Sequence, residues 1–292
     1  MTREAEGLSH DSSRRLRADF SAAAASYDAA AVLARATGQR MAERLDYVKI
    51  APQRIADIGC ATGDGLRELQ RRYAAALPLA LDYAAPMLRE VARRAPRWQR
   101  LTRRAPRCVA ADVRALPLAS NSLDLVWSNL MLHWLDDPLT ALREIQRVLA
   151  PGGLLMLATL GPDTLQEMRA ACAKVGAGET VRHFPDMHDI GDLLMAAGFA
   201  DPVMDREMLT LSYARRSVFL ADQRRLGVRD SLLGRQDWHT WRQAFRAWPH
   251  DAAGKWPMSY EVVYGHAWKP AARSDNAGDE WAAIKIYPRK RA

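Results

Sequence analysis

Seven consecutive residues, Asp57-Ile58-Gly59-Cys60-Ala61-Thr62-Gly63, place one acid and two glycines between an apolar run and a helical pattern. At a strand end, glycine lets a ligand approach the backbone because no side chain intervenes. The amides that open the following helix favour a negative group such as a carboxylate. A glycine loop by itself fits a mononucleotide site, a dinucleotide site or a plain strand-to-helix turn. Three later residues narrow the chemistry. Asp82, about 25 residues on at the end of the next apolar run, is placed to accept both hydroxyls of a ribose. Asp112 ends a third run and is suited to an exocyclic adenine amine. Asn129 follows a fourth. Each position falls at the carboxyl end of a predicted strand, where open parallel sheets bind ligands.

The elements that must hold these residues alternate along the chain. Strands are predicted at Arg54 to Ile58, Pro78 to Asp82, Cys108 to Asp112, Leu123 to Ser128 and Leu154 to Leu160. Helices are predicted at Gly65 to Ala76, Pro86 to Arg94 and Pro138 to Leu149. Such alternation implies an α/β fold with a parallel sheet covered on both faces. The turn Ala150-Pro151-Gly152-Gly153 separates a helix from the next strand. Later come a helix at Asp186 to Ala197 closed by Gly198, a strand at Val203 to Tyr213, polar helices at Arg215 to Leu226 and Gln236 to Trp248, and a strand at Ser259 to Trp268. The organisation expected is a flexible N-terminus (1–19), a main domain (20–270) with a helical insertion at about 214–250, and a tail (271–292).

The series Asp57 to Gly63, Leu81-Asp82, Ala111 to Leu118, Asp124 to Asn129 and Leu149 to Gly153 resembles the class I S-adenosylmethionine-dependent methyltransferases over about residues 20–200. The resemblance implies a Rossmann-like seven-stranded sheet whose last strand is antiparallel, with N-terminal helices and a helical insertion before that strand. It implies S-adenosylmethionine as cofactor, with S-adenosylhomocysteine as product. It places the cofactor against Asp57, Gly59, Cys60, Ala61, Gly63, Asp82, Tyr83, Met87, Asp112, Val113 and Asn129. The chain departs from the family at Ala61, where glycine is common.

The segments Phe20 to Asp28, Ser128 to Trp134, Leu160 to Glu167, Phe184 to Gly191 and Tyr260 to Trp268 are similar to the malonyl-[acyl-carrier protein] O-methyltransferases of biotin biosynthesis. That similarity implies methyl transfer to the free carboxylate of a malonyl thioester on an acyl-carrier protein. The product ester would prime pimeloyl synthesis. Mitochondrial assembly factors share several of these segments. The other readings are a methyltransferase for another small acid or a quinone precursor, and an assembly factor that does not methylate. A carboxylate is already ionised near neutral pH, so no general base is required. The protein has to align oxygen, carbon and sulfur and exclude water. Tyr27, Asn129, His133 and Trp134 are the acceptor-side candidates. Tyr27 either covers the cofactor or packs in the core, and His133 either lines the acceptor or simply packs.

Arg182, Arg215, Arg216, Arg224 and Arg225 are candidates for the substrate carboxylate or for carrier acids, and a solvated helix face is the alternative for the last four. His183 and His188 are five apart, which is not the one-face helical spacing of metal ligands, so no metal is expected. Asp186 suits a helix cap. The late tryptophans, Trp238, Trp241, Trp248, Trp256, Trp268 and Trp281, are expected to pack the insertion onto the sheet.

The 292 residues carry a net charge of +8, which attracts acidic partners such as nucleic acid or a carrier protein. No appended RNA-binding domain or Asn-Pro-Pro-Tyr-like motif supports nucleic acid. No apolar run reaches the roughly 18 residues of a membrane span. Cys60, Cys108 and Cys172 are scattered, which suggests neither disulfides nor zinc. Together these point to a cytoplasmic protein.

Overall fold

The computed structural model describes residues 3–96, 99, 104–177, 181–234 and 237–271, with backbone alone for 3–12. The strands are β1 (Arg54–Ile58), β2 (Leu77–Asp82), β3 (Arg107–Ala110), β4 (Leu123–Asn129), β5 (Leu149–Leu160), β6 (Ala200–Tyr213) and β7 (Trp256–Trp268). They form one sheet in the order β3-β2-β1-β4-β5-β7-β6. The ladders from β3 to β5 are parallel, and β7 runs antiparallel to both β5 and β6. The central strands are buried on both faces, which explains their nearly continuous apolar sequences. At the edge, β6 alternates between half-buried and exposed residues. Chain order reverses between β1 and β4, which opens a crevice at their carboxyl ends.

The helices are α1 (Arg3–Ala23), α2 (Tyr27–Ala30), α3 (Val32–Arg44), α4 (Asp64–Arg72), α5 (Ala85–Arg94), α6 (Pro138–Val148), α7 (Gln166–Ala173), α8 (Met187–Ala196), α9 (Arg216–Leu226), α10 (Arg229–Leu233) and α11 (Trp238–Ala247). Met41, Leu66, Trp127, Met168 and Phe219 share one core with the insertion. Leu142, Ile145, Ile190 and Leu194 pack α6 and α8 on the opposite face. Asp186 caps α8. Its carboxylate accepts from the amides of His188 and Asp189, and Asp189 answers at the Asp186 amide.

Several expectations shift. The N-terminus is helical from Arg3 rather than flexible to residue 19, because Leu16, Phe20 and Ala23 repeat at helical spacing and face the protein. The strand expected to reach Asp112 ends at Ala110. The Ala150–Gly153 turn lies within β5, which begins at Leu149, and the β4–β5 register shifts between Leu123 and Leu125. Both late strands are longer than expected. They pair from Ala200 opposite Trp268 to Tyr213 opposite Trp256, past the end of β5.

The insertion is held by aromatic contacts. Phe219 meets Trp248 edge-on at 5.1 Å, and Trp248 Nε1 donates to the Pro257 carbonyl at 2.9 Å. Trp238 instead stands exposed. Residues 272–292, including Trp281 and the expected tail, lie outside the described residues.

The C-terminal end of α9 closes against α1 and α2. Ser26 Oγ donates to the Arg225 carbonyl at 3.2 Å. Gly227 has φ +74°, and a Cβ there would stand 2.7 Å from the Asp19 carbonyl oxygen. Both conformation and space exclude a side chain. Gly227→Ala is expected to cost at least about 1 kcal/mol in urea denaturation and to speed proteolysis within α1. An unchanged midpoint with unchanged protection would contradict this seam.

Candidate functional site

The loop after β1 is tied down by backbone groups. The amides of Gly59 and Cys60 both donate to the Leu81 carbonyl, at 2.9 and 3.1 Å, and Gly63 N donates to Cys60 O at 2.8 Å. These bonds register the loop against the end of β2. Gly59 has φ +74°, and a Cβ there would stand 2.4 Å from Met131 Cγ. The glycine therefore makes room for Met131, a protein side chain. Ala61 takes φ +45°, a left-handed conformation that a Cβ opposes.

Asp82 explains how Ala61 is held there. Its Oδ2 accepts from Ala61 N at 3.0 Å and its Oδ1 from Ala84 N at 2.8 Å. The side chain is 8% exposed, and burial outweighs those bonds, pushing its pKa up to about 6. Behind the loop, Asp57 is fully enclosed. Burial raises it to about 8, opposed by a hydrogen bond from the Leu66 amide.

A cavity of about 380 Å³ opens at the carboxyl ends of the strands. Gly59, Ala61, Asp82, Tyr83, Met87, Asp112, Val113 and Asn129 line it, as expected from sequence. Asp57, Cys60 and Gly63 are absent from its lining. They shape the loop from behind, through the backbone bonds that tie Cys60 to Leu81 and Gly63 to Cys60. Asp112 is less available than expected. Arg114 Nε and Nη2 engage both its oxygens, at 3.0 and 2.7 Å, and hold its pKa below the usual carboxylate range. An adenine amine reaching this acid shares it with the guanidinium.

These residues fit S-adenosylmethionine. Asp82 keeps lone pairs for a vicinal diol. Met87, Val113 and Leu116 offer apolar walls for a flat base. The loop backbone borders the same space.

The acceptor-side candidates converge on the cavity too. Tyr27 lines it, and burial with the charge of Asp82 raises its phenol pKa. Its neighbour Asp28 accepts from Thr62 Oγ1 at 2.5 Å and pairs with Arg94, which docks α2 on the loop. Asn129, which lines the cavity, also joins two elements. Its Nδ2 donates to the Ala34 carbonyl and its Oδ1 accepts from Thr37 Oγ1, both at 2.8 Å. That amide fastens α3 to the tip of β4. His133 is 7% exposed, in a tight turn at Leu132–Trp134. Burial first, then the charge of Arg182, lower its pKa to about 3, so the ring is neutral. Its Nδ1 has no hydrogen-bond partner among the described residues. Trp134 meets Phe20 edge-on at 5.8 Å, and the Arg182 guanidinium lies 5.6 Å over its ring.

None of the five candidate arginines lines the cavity. Arg215, Arg216 and Arg224 are exposed, Arg225 pairs with Asp222, and Arg182 is held at Trp134. The arginines that do line it are Arg14, Arg17 and Arg114. Sequence reasoning missed those of α1. It also missed Leu160, Leu211, Tyr213, Gln223, Val228 and Tyr260, which enclose the other end. The alternation of β6 and β7 was visible, but their register was not.

Asp57 and Asp82 hold protons in the folded chain at pH values where the unfolded chain, with acids near about 4, has lost them. The stability this provides is full below about 4 and is lost as pH rises through about 6 and then about 8. The cofactor-free protein is expected to show a falling melting temperature from about pH 5 to about pH 8, with Asp57→Asn flattening the upper part. A difference between wild type and variant that does not vary with pH would refute the assignment.

The comparisons with known proteins agree with this geometry. A family described as a methyltransferase domain matches residues 56–157. The fold is similar to the YcgJ protein of Bacillus subtilis, with a TM-score of 0.56 and 15% identity over 80% of this chain and 98% of that one. A malonyl-[acyl-carrier protein] O-methyltransferase of Laribacter hongkongensis is 48% identical over 285 residues, 94% of this chain and 95% of its own. One of Gallionella capsiferriformans is 46% identical over 271 residues, 90% of this chain and 93% of its own. With nearly half the residues shared along almost the whole length, through β7 as well as the cofactor loop, the chain belongs to the malonyl-[acyl-carrier protein] O-methyltransferase family.

Proposed function

We propose that this protein transfers a methyl group from S-adenosylmethionine to the free carboxylate of a malonyl group carried on an acyl-carrier protein, giving the methyl ester. In the biotin pathway this ester would prime pimeloyl synthesis. One observation supports the choice of acceptor above all: the side chains His133, Tyr27 and Tyr260 that line the cavity are not competent bases. His133 is neutral down to about pH 3, too weak a base to deprotonate an alcohol or an ammonium group. Tyr27 and Tyr260 are held protonated by burial. The acceptor must therefore arrive already nucleophilic, as a carboxylate does.

Bound S-adenosylmethionine supplies a methyl carbon activated by its sulfonium. Asp82 would hold the ribose hydroxyls, and Met87 and Val113 would offer apolar contact to the base. Tyr27, on the docked helix α2, covers the junction between donor and acceptor. Phe20 and Trp134 pack above it and exclude water, which strengthens every polar contact inside. No carboxylate is needed to receive a proton, because none is released. The surplus of positive charge serves an acidic carrier, with Arg14 and Arg17 of α1 at the cavity, rather than nucleic acid. No helix among the described residues is long and apolar enough to cross a membrane, in keeping with a cytoplasmic role.

Incubation with radiolabelled S-adenosylmethionine and malonyl-carrier protein, malonyl-coenzyme A, free malonate or tRNA tests the proposal. Base-labile label on the malonyl thioester is expected. Label on RNA alone, or none despite cofactor binding, would overturn it. Asp82→Ala is expected to weaken cofactor binding at least about tenfold in calorimetry, because two hydrogen bonds to a charged group are lost. Unchanged affinity would refute the ribose assignment.

A further inference from the structure

Past the end of β5, the β6–β7 hairpin continues alone. Leu160 ends β5 opposite Val262, so Tyr260 lies two residues beyond that strand. Tyr260 sits opposite Leu209, and Tyr213 ends the hairpin opposite Trp256. In an antiparallel ladder, Tyr213 and Tyr260 then point to the same face. Helix α9 covers this face and brings Gln223 to it. All three side chains line the cavity while being 9%, 4% and 1% exposed for Tyr213, Tyr260 and Gln223. Around them the wall is apolar: Leu160, Leu211, Leu226, Val228 and Leu232. The Gln223 side chain and the Tyr213 phenol both stand close enough to the Tyr260 hydroxyl to influence its ionisation. Burial and the charge of Asp222 act on the Tyr213 hydroxyl.

Three buried polar side chains in an apolar wall are costly unless something satisfies them. We propose that Tyr213, Tyr260 and Gln223 form the receptor for the free carboxylate of the acceptor, holding it by neutral hydrogen-bond donors. This rests on the functional reading above. The donor set is two phenols and one amide, which between them present more N–H and O–H groups than they use on each other. Burial raises both phenol pKa values, that of Tyr213 to about 12, so they remain donors throughout the physiological range.

Neutral donors also suit the chemistry better than the arginine expected from sequence. The carboxylate loses its charge as the new O–CH3 bond forms and the C–S bond breaks, with the sulfonium taking the bonding pair. A guanidinium would stabilise the charged reactant more than the transition state and so slow transfer. Phenol and amide donors orient the oxygens with less such bias. After transfer they face an uncharged ester, which they hold less tightly. The candidate arginines lie away from this wall, and the cavity-lining guanidinium of Arg114 is at Asp112.

The test uses Tyr213→Phe, Tyr260→Phe, their double variant and Gln223→Met, which keep shape and remove donors. Initial rates are measured with malonyl-carrier protein at saturating S-adenosylmethionine, alongside cofactor affinity by calorimetry and thermal melting. Each single variant is expected to raise KM for the malonyl acceptor about tenfold, the loss of one hydrogen bond to a charged group, with the double variant higher still. Cofactor affinity and melting temperature stay near wild type. Unchanged KM in the double variant and in Gln223→Met would overturn the receptor. So would a parallel loss of cofactor affinity, which would assign these side chains to the donor. A wild-type protein that fails to label malonyl-carrier protein defeats the functional reading itself. An active wild type with equally active variants defeats only this inference.

Discussion

A buried carboxylate cannot be left without partners, and the geometry of the donor side follows from how Asp82 meets that constraint. Enclosed at the end of β2, it recruits the amides of Ala61 and Ala84. The first bond holds the β1 loop in a left-handed turn that an alanine would otherwise resist. The second sets the start of α5, which brings Met87 to the cavity. One acid thus positions the loop, the helix and its own remaining lone pairs.

The two ends of the cavity divide the electrostatics. Charge collects at the donor end, where Asp82, Asp112, Arg17 and Arg114 meet. The acceptor end has a neutral imidazole, phenols that stay protonated and aliphatic walls. A reaction that removes charge from its acceptor is served by such an environment, since a low dielectric disfavours the charged reactant more than the neutral product.

The donor side was readable from sequence because each part lies at the end of a strand, and the alternation of apolar runs locates strand ends. Asp82 needed only that pattern, whereas Asp112 lies two residues past the end of its strand and Ala61 three past its own. Asn129 was found, but its partners Ala34 and Thr37, 95 and 92 residues away, were not. Gly59 lines the cavity and also makes room for Met131, a contact that sequence spacing cannot reveal. Tyr213 and Gln223 escaped notice for a similar reason. Their meeting with Tyr260 depends on the β6–β7 register and on the docking of α9, and a slip of β6 by one residue would turn Tyr213 to the opposite face from Tyr260.

The position of β7 has a consequence for how the chain is made. It is the last strand synthesised among the described residues, yet it sits inside the sheet, bonded to β5 on one side and β6 on the other. During translation β5, buried along most of its length in the finished protein, therefore emerges as an open edge and stays one for about a hundred residues of further synthesis. The same delay applies to the chamber, whose far wall includes Tyr260. A nascent chain can gather Asp82 and the loop early, but it has no closed pocket to be stabilised by small molecules until the ribosome has passed β7.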